Sequence, residues 1–289
     1  MTRVAVAQIH CDAADDKGRL TVTVDAVESA ASKGAELVVL PELAACGYRL
    51  NARHLALHAE AAAGDGPVLS AWRDAARRRG IAVVGGFAEA TGTAIANAVA
   101  VIGPEGAMIG TYRKLHLFDA EQAVFAPGDT GLPLFDVSGV SVGVLVCYDL
   151  RFPEAARILA LSGADVIAVP TAWIAGFDAL IPEGPRTPHV DGVIVQANLD
   201  QVHVLVADQV GKQDGVAFLG RSLVVDPFGE ILQGPLSATE EAVVAVNLDL
   251  GANDRARHRG PGISPRENRR TDVYGELLGY RVHDTQRAR

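Results

Sequence analysis

Basic side chains are in short supply in this chain. Its 26 Lys and Arg face 35 Asp and Glu, leaving a net charge of −9, and nucleic acid or anionic lipid is held by clustered cations that such a balance does not supply. The basic runs, Arg77-Arg78-Arg79 and the stretch 266–270, read as a solvated helix end and a polar tail. Cysteine is scarce too: Cys11, Cys46 and Cys147 are odd in number and irregular in spacing. That speaks against a disulfide framework and for free thiols in a reducing compartment. No cysteine pair has zinc spacing, no G-x-x-x-x-G-K-[ST] loop occurs, and no apolar run approaches the ~18 residues of a membrane span. Met1 to Val6 reads as a strand rather than as a signal peptide. The expectation is a cytoplasmic protein with no cofactor, no metal, no nucleic-acid partner and no membrane partner.

What the chain does have is short aliphatic, β-branched runs alternating with helical segments. Strands are expected at Val4–Gln8, Glu36–Leu40, Ile81–Phe87, Val140–Val146, Asp165–Val169, Val202–Ala207 and Glu241–Leu248. Helices are expected at Leu20–Ala31, Pro67–Arg79, Glu154–Leu161 and Asp191–Leu199. In the second of these Leu69, Trp72, Ala75 and Ala76 share a face, and in the third Pro153 stands where its missing N–H is harmless. Gly103 to Gly106 joins Ala98–Ile102 to Ala107–Tyr112 as a hairpin, and Pro227-Phe228-Gly229 does the same for Arg221–Asp226 and Glu230–Gln233. A Pro- and Gly-rich loop covers Gly176–Pro188. Buried parallel-type strands mixed with hairpins imply a layered α/β or α+β fold. We read one domain over residues 1–251 and a C-terminal extension over 252–289 that packs on a partner subunit.

Several motifs are decoys. Gly139-Val-Ser141-Val-Gly143 spells G-x-S-x-G, but a nucleophile elbow needs a strand before its Ser and a helix after it, and Ser141 stands at the start of an apolar strand. His54 and His58 are spaced i, i+4 without the Glu that a metalloprotease places after the first His. Gly64-Asp-Gly66 lacks the third glycine of a dinucleotide loop.

Cys147 differs from Cys11, which reads as a small buried hydrophobe. Cys147 lies where an apolar strand ends and a helix soon begins, the side of an α/β sheet where ligands bind and where a helix terminus or cation favours thiolate. Glu42 stands at the end of a strand stopped by Pro41, and Lys114 at the end of another. A base, a cation and a thiol so placed suit nucleophilic catalysis. Cys46, in a loop after Glu42, is the weaker nucleophile candidate.

These residues sit in segments whose order resembles the nitrilase superfamily of carbon–nitrogen hydrolases. The matching pieces are Leu40-Pro-Glu42-Leu with Gly47-Tyr48, Tyr112-Arg-Lys114-Leu-His-Leu-Phe118, Glu121 with Phe125-Ala-Pro-Gly128-Asp129, and Gly143-Val-Leu-Val-Cys147-Tyr-Asp-Leu-Arg-Phe-Pro-Glu154. Ala164 to Trp173 and Gly220 to Gly229 match as well, so the resemblance runs from Val4 to about Leu250. It implies a four-layer α-β-β-α sandwich, commonly paired into a homodimer or larger homo-oligomer. It also implies Glu42 as general base, Lys114 as the cation facing the tetrahedral intermediate, Cys147 as nucleophile and Glu121 as an additional glutamate holding Lys114 or substrate. The Tyr148 N–H would join Lys114 at the oxyanion; Tyr48 and Trp173 would line the pocket, and His116 and His189 are further candidates for substrate contact. Relatives often carry Arg-Ala-x-Glu-Asn where this chain has Gln196-Ala-Asn-Leu-Asp200, a departure that touches helix anchoring and subunit contacts. The run from Cys147 to Glu154 resembles the amidase branch, so the expected substrate is a small aliphatic or ω-type amide. Nitrile hydrolysis and N-carbamoyl amine hydrolysis are the alternatives on the same residues. A non-catalytic binding protein and a redox-sensing thiol protein are alternatives of another class.

Overall fold

The structure is a computed structural model, and it describes residues 2–11, 16–174 and 187–278. Fourteen strands and seven helices are described. In chain order the strands are β1 (Thr2–Gln8), β2 (Leu37–Val39), β3 (Ala82–Thr91), β4 (Ala94–Ile102), β5 (Met108–Arg113), β6 (Leu134–Val137), β7 (Val140–Val144), β8 (Val166–Pro170), β9 (His203–Ala207), β10 (Lys212–Gln213), β11 (Val216–Ala217), β12 (Leu223–Val225), β13 (Ile231–Gln233) and β14 (Ala242–Leu248). The helices are α1 (Asp16–Ser32), α2 (Ala52–His58), α3 (Pro67–Arg79), α4 (Pro153–Leu161), α5 (Pro188–Asp200), α6 (Gly251–Arg257) and α7 (Thr271–Leu277). The expected loop over Gly176–Pro188 falls, up to residue 186, outside the described residues.

Two six-stranded sheets carry the fold, in the orders β14-β1-β2-β3-β4-β5 and β13-β12-β9-β8-β7-β6. Each has three parallel strands at its centre, β1-β2-β3 and β7-β8-β9, flanked by antiparallel ones. Side-chain alternation along each strand explains why both sheets are covered twice. Val4, Val6, Leu37 and Val39 turn inward to meet Val142, Val144, Val166 and Ala168 of the second sheet. Their neighbours Ala5, Ala7, Val38 and Leu40 turn outward onto α1 and α3, while Ile167 and Val169 turn onto α4 and α5. The result is the α-β-β-α sandwich. It brings the carboxyl ends of β2, β7, β8 and β9 to one edge between the sheets.

Some strands lie beyond the expected ones. β3 and β4 form one long hairpin paired from Val83↔Ile102 to Thr91↔Ala94, closed by Gly92 at φ 74 and Thr93. β6 pairs with β7 across Ser138 and Gly139, both at positive φ, as a two-residue hairpin requires. Gly139 of the apparent G-x-S-x-G is therefore a turn residue, and Ser141 sits inside β7. Past residue 251 the chain is not merely polar: α6 buries Ala252, Asn253 and Ala256, with Asn253 donating to the Asp165 carbonyl at 2.9 Å. Asp200, in the stretch that departs from the resemblance, is buried and ion-paired with Arg157, which ties α5 to α4. Among the described residues, no helix is long and apolar enough to cross a membrane.

Candidate active site

Glu42 follows β2 by three residues, and its backbone is held from two sides. Its N–H donates to the Thr171 carbonyl at 3.3 Å, and Gln209 Nε2 donates to its carbonyl at 2.8 Å. Gly86 of β3 permits this close approach: a Cβ there would come within 2.4 Å of the Leu43 nitrogen and 2.7 Å of the Glu42 Cα. Lys114 directly follows β5, with its N–H donating to the Asn97 carbonyl at 2.8 Å. Glu121 belongs to a short 3-10 turn, Asp119–Ala123, and its Oε2 accepts the Phe118 N–H at 2.9 Å.

These three side chains meet. Lys114 Nζ lies 2.7 Å from Glu42 Oε1 and 2.8 Å from Glu121 Oε1, and all three side chains are fully buried. Asn97 Nδ2 donates to Glu42 Oε1 at 2.7 Å, and the Tyr48 hydroxyl donates to Glu121 Oε1 at 2.8 Å. Glu42 Oε2 is buried and accepts no hydrogen bond among the described residues. Cys147 opens another 3-10 turn, Cys147–Arg151, just past β7, with φ 44. Such a conformation is costly for a residue with a Cβ and persists only where its surroundings enforce it. Cys147 is half-buried as a residue and lines a cavity, whereas Cys11 and Cys46 are buried.

The electrostatics follow from one ammonium serving two carboxylates without solvent. Burial pushes the Glu42 carboxyl up to about 7; Lys114 opposes the rise and Glu121 adds to it. The Lys114 ammonium is held above its ordinary range by Glu42 and Glu121, against the opposing effect of burial. Burial, and after it the carboxylate of Glu42, push the Cys147 thiol well above its ordinary range. Cys46 is pushed up to about 12 by burial.

Cys147 lines a cavity of about 60 Å³ with Tyr48, Phe118, Tyr148, Ala172 and Trp173, closed on another side by Pro188, His189, Gly192 and Val193 of α5. One water needs roughly 10–15 Å³ measured this way, so the space suits a few heavy atoms. Trp173 is held in the wall by Asp208, whose Oδ1 accepts the Trp173 N–H at 2.8 Å. His189 reaches the cavity, its ring 5.1 Å from that of Trp173. His116 is absent from the lining; it stacks on Phe152 at 3.7 Å. His54 and His58 stack on each other at α2, away from the cavity. Among the described residues, no group of three or more His, Cys, Asp or Glu side chains is arranged to hold a metal ion.

The site combines a buried acid–lysine–acid cluster with a cysteine that lines a cavity, and a family model for carbon–nitrogen hydrolases matches residues 3–258. The chain belongs to the carbon–nitrogen hydrolase family. It is similar to a nitrilase of Pyrococcus abyssi, 37% identical over 86% of this chain and 90% of the relative. It is also similar to an N-carbamoylputrescine amidase of Solanum lycopersicum, 30% identical over 95% of both. Among solved structures, a glutamate-to-glutamine mutant of the amidase from Nesterenkonia sp. AN1, showing the result of Michael addition of acrylamide at the active site cysteine, superposes with a TM-score of 0.78. It is 26% identical and covers 96% of this chain and all of the other. The chain is thus a carbon–nitrogen hydrolase of the nitrilase superfamily, an enzyme for non-peptide C–N bonds.

The structure brings Glu42, Lys114 and Glu121 together and sets Cys147, Tyr48, Tyr148 and Trp173 around one cavity. Sequence reasoning had not singled out Asn97, which shares Glu42 Oε1 with Lys114. It sits mid-strand in β4, flanked by alanines, where a polar residue among small apolar ones was the available signal. Nor had it singled out Asp208 or Gln209, which follow β9 much as Glu42 follows β2.

Proposed function

We propose that this carbon–nitrogen hydrolase cleaves a small aliphatic or ω-type amide to carboxylate and ammonia through a thioester on Cys147. The observation that carries the reading is the division of labour on Glu42: Oε1 is held by Lys114 and Asn97, while Oε2 is buried with no partner among the described residues. A carboxylate fixed by one oxygen and free on the other is suited to carry a proton, and a pKa raised to about 7 suits it to take one and return it near neutrality.

In the first step Glu42 takes the proton from the thiol as Sγ attacks the carbonyl carbon. The carbonyl π electrons move to oxygen, and the oxyanion is stabilised by Lys114 and the Tyr148 N–H. That N–H lies at the start of a 3-10 turn, where backbone donors have no partner within the helix. Such a donor is typically worth about 3–4 kcal/mol. Glu42 then protonates the leaving nitrogen, the C–N bond breaks and ammonia departs. Glu42 next takes a proton from water as the water oxygen attacks the thioester carbonyl; the C–S bond breaks, Glu42 returns that proton to the departing sulfur, and the acid product loses its own proton to solvent. Glu121, through Lys114 and Tyr48, keeps the ammonium in place.

The apolar wall of Tyr48, Phe118, Tyr148 and Trp173 and the small cavity favour a compact acyl group. Nitrile and N-carbamoyl amine hydrolysis use the same residues and are the competing activities. Ammonia release from a panel of aliphatic amides, nitriles and N-carbamoyl amines decides between them. The amides are expected to give the highest kcat/KM, and carbon dioxide release from the carbamoyl compounds at a higher kcat/KM would overturn the choice. The partner subunit belongs to the same proposal. Ile158 and Leu161 of α4, Leu199 of α5, and Tyr274 and Leu278 of the 252–289 extension expose apolar side chains along one groove. A second copy covering it gives a dimer mass by light scattering, and Leu199→Asp is expected to yield monomer.

A further inference from the structure

Asp149 is fully buried, two residues beyond Cys147, and it is absent from the cavity lining. Its two oxygens accept four hydrogen bonds. Oδ2 takes the Val146 N–H at 3.0 Å and the Tyr112 hydroxyl at 2.8 Å. Oδ1 takes the His116 N–H at 3.0 Å and His116 Nδ1–H at 2.8 Å. These donors are not scattered. Val146 immediately precedes Cys147, and Tyr112 and His116 stand two residues before and two residues after Lys114.

We propose that Asp149 is a positioning residue that clamps the nucleophile turn to the segment carrying Lys114, so that the thiol and the ammonium keep one mutual geometry through both chemical steps. The two parts come from different sheets: Lys114 follows β5 of the first and Cys147 follows β7 of the second. No strand pairing spans that gap, and in the described backbone hydrogen bonds neither Cys147 nor Tyr148 is tied to the 112–116 segment. A carboxylate holding donors from both sides supplies the missing link. It also supplies the enforcement that φ 44 at Cys147 demands, since the Asp149 N–H donates to the Val146 carbonyl at 2.9 Å and so holds the peptide entering that residue, while the Val146 N–H bond to Oδ2 holds the peptide before it. His116 is braced in turn by its stack on Phe152, whose N–H donates to the Asp149 carbonyl at 3.1 Å. Asp149 touches no reacting atom in the proposed mechanism and acts through Val146, Tyr112 and His116.

This inference rests on the reading of Cys147 as nucleophile and Lys114 as oxyanion partner. The test is Asp149→Asn, whose amide keeps the shape but turns a donor toward two donors, with Tyr112→Phe as a milder variant that removes a single hydroxyl. A misplacement of reacting groups on the order of 1 Å costs roughly a hundredfold in rate. Asp149→Asn is therefore expected to lose about that much in kcat with KM changed less than about threefold, and Tyr112→Phe to lose several-fold. Alkylation of Cys147 by iodoacetamide should slow, and its pH profile should move, because the thiol no longer meets Lys114 and Glu42 in the same arrangement. A residue that only stabilises the fold would lower the melting temperature and leave kcat of the folded protein and the alkylation profile alone. Wild-type kcat and an unmoved profile in folded Asp149→Asn would overturn the proposal; if that variant does not fold, the same result in Tyr112→Phe would. Cys147→Ala, run alongside, separates the two readings. An active Cys147→Ala refutes the mechanism itself, whereas an inactive one beside a fully active Asp149→Asn refutes only the clamp.

Discussion

Replacing Glu42 by Gln should abolish turnover and yet stabilise the protein at neutral and alkaline pH. Glutamine fits the site: its Oε1 can accept from Lys114 and Asn97 as the carboxylate does, and its amide nitrogen falls where Oε2 is without a partner. What the substitution removes is a carboxylate whose pKa is lifted by burial from the ordinary 4.5 to about 7. Below pH 4.5 this group is protonated in both folded and unfolded chains and contributes nothing to the pH dependence. Between 4.5 and 7 the folded chain binds the extra proton, so stability falls as pH rises. Above 7 the folded protein carries the full cost of a buried carboxylate. The gap from 4.5 to about 7, at about 1.4 kcal/mol for each pH unit, amounts to roughly 3 kcal/mol. The Gln variant escapes it. Urea unfolding of both proteins at pH 5, 6, 7 and 8 is the assay, read as the difference in extrapolated stability at constant slope. The variant is expected to gain on wild type from pH 5 to about pH 7 and then to level off, by about 2–3 kcal/mol between pH 5 and pH 8. A difference independent of pH, or one that shrinks as pH rises, would refute the claim that Glu42 is the group with the raised pKa.

Other consequences can be checked with the same material. The kcat/KM of wild type should climb as pH rises through about 7, because only unprotonated Glu42 can take the thiol proton; a profile flat from pH 6 to 8 contradicts this. Tyr48→Phe removes the hydroxyl bonded to Glu121 Oε1 and should cost about tenfold in kcat, equivalent to about 1.4 kcal/mol, measured by ammonia release. Gly86→Ala drives a methyl into the backbone of Pro41, Glu42 and Leu43 and should lower the melting temperature and the activity together. Gly192 is helical in α5, and a Cβ there would meet nothing within 4 Å among the described residues. Gly192→Ala should therefore stabilise by about 0.5–1 kcal/mol in thermal unfolding.

Much of this was legible because strand ends announce themselves. Leu37–Val39 is stopped by Pro41, and the apolar run of β7 breaks at Cys147, so Glu42 and the thiol could each be placed at the carboxyl end of a strand from the sequence. Helix α3 was readable to its limits because Pro67 opens it and Gly80, in the left-handed conformation, closes it. The outer halves of β3 and β4 were not readable. Ala88, Ala90, Ala94 and Ala96 have weak strand preference, and only their pairing across Gly92-Thr93 makes them strands. β6 was hidden likewise behind Leu132-Pro133 and a two-residue turn at Ser138. The supporting polar residues escaped for a related reason. Asn97 meets Glu42 across 55 positions and Asp149 meets Tyr112 across 37, and nothing local to any of the four marks a partner so distant. His116 drew attention for its chemistry, whereas its place is set by Asp149 and Phe152.

Intact-protein and peptide mass spectrometry during turnover of a slowly hydrolysed amide is the most direct examination of the thioester. The expected spectrum has one acyl group, on the peptide containing Cys147, absent from Cys147→Ala and accumulating when water attack is slow. An acyl group on the peptide of Cys46, or undiminished hydrolysis by Cys147→Ala with no adduct anywhere, would contradict it.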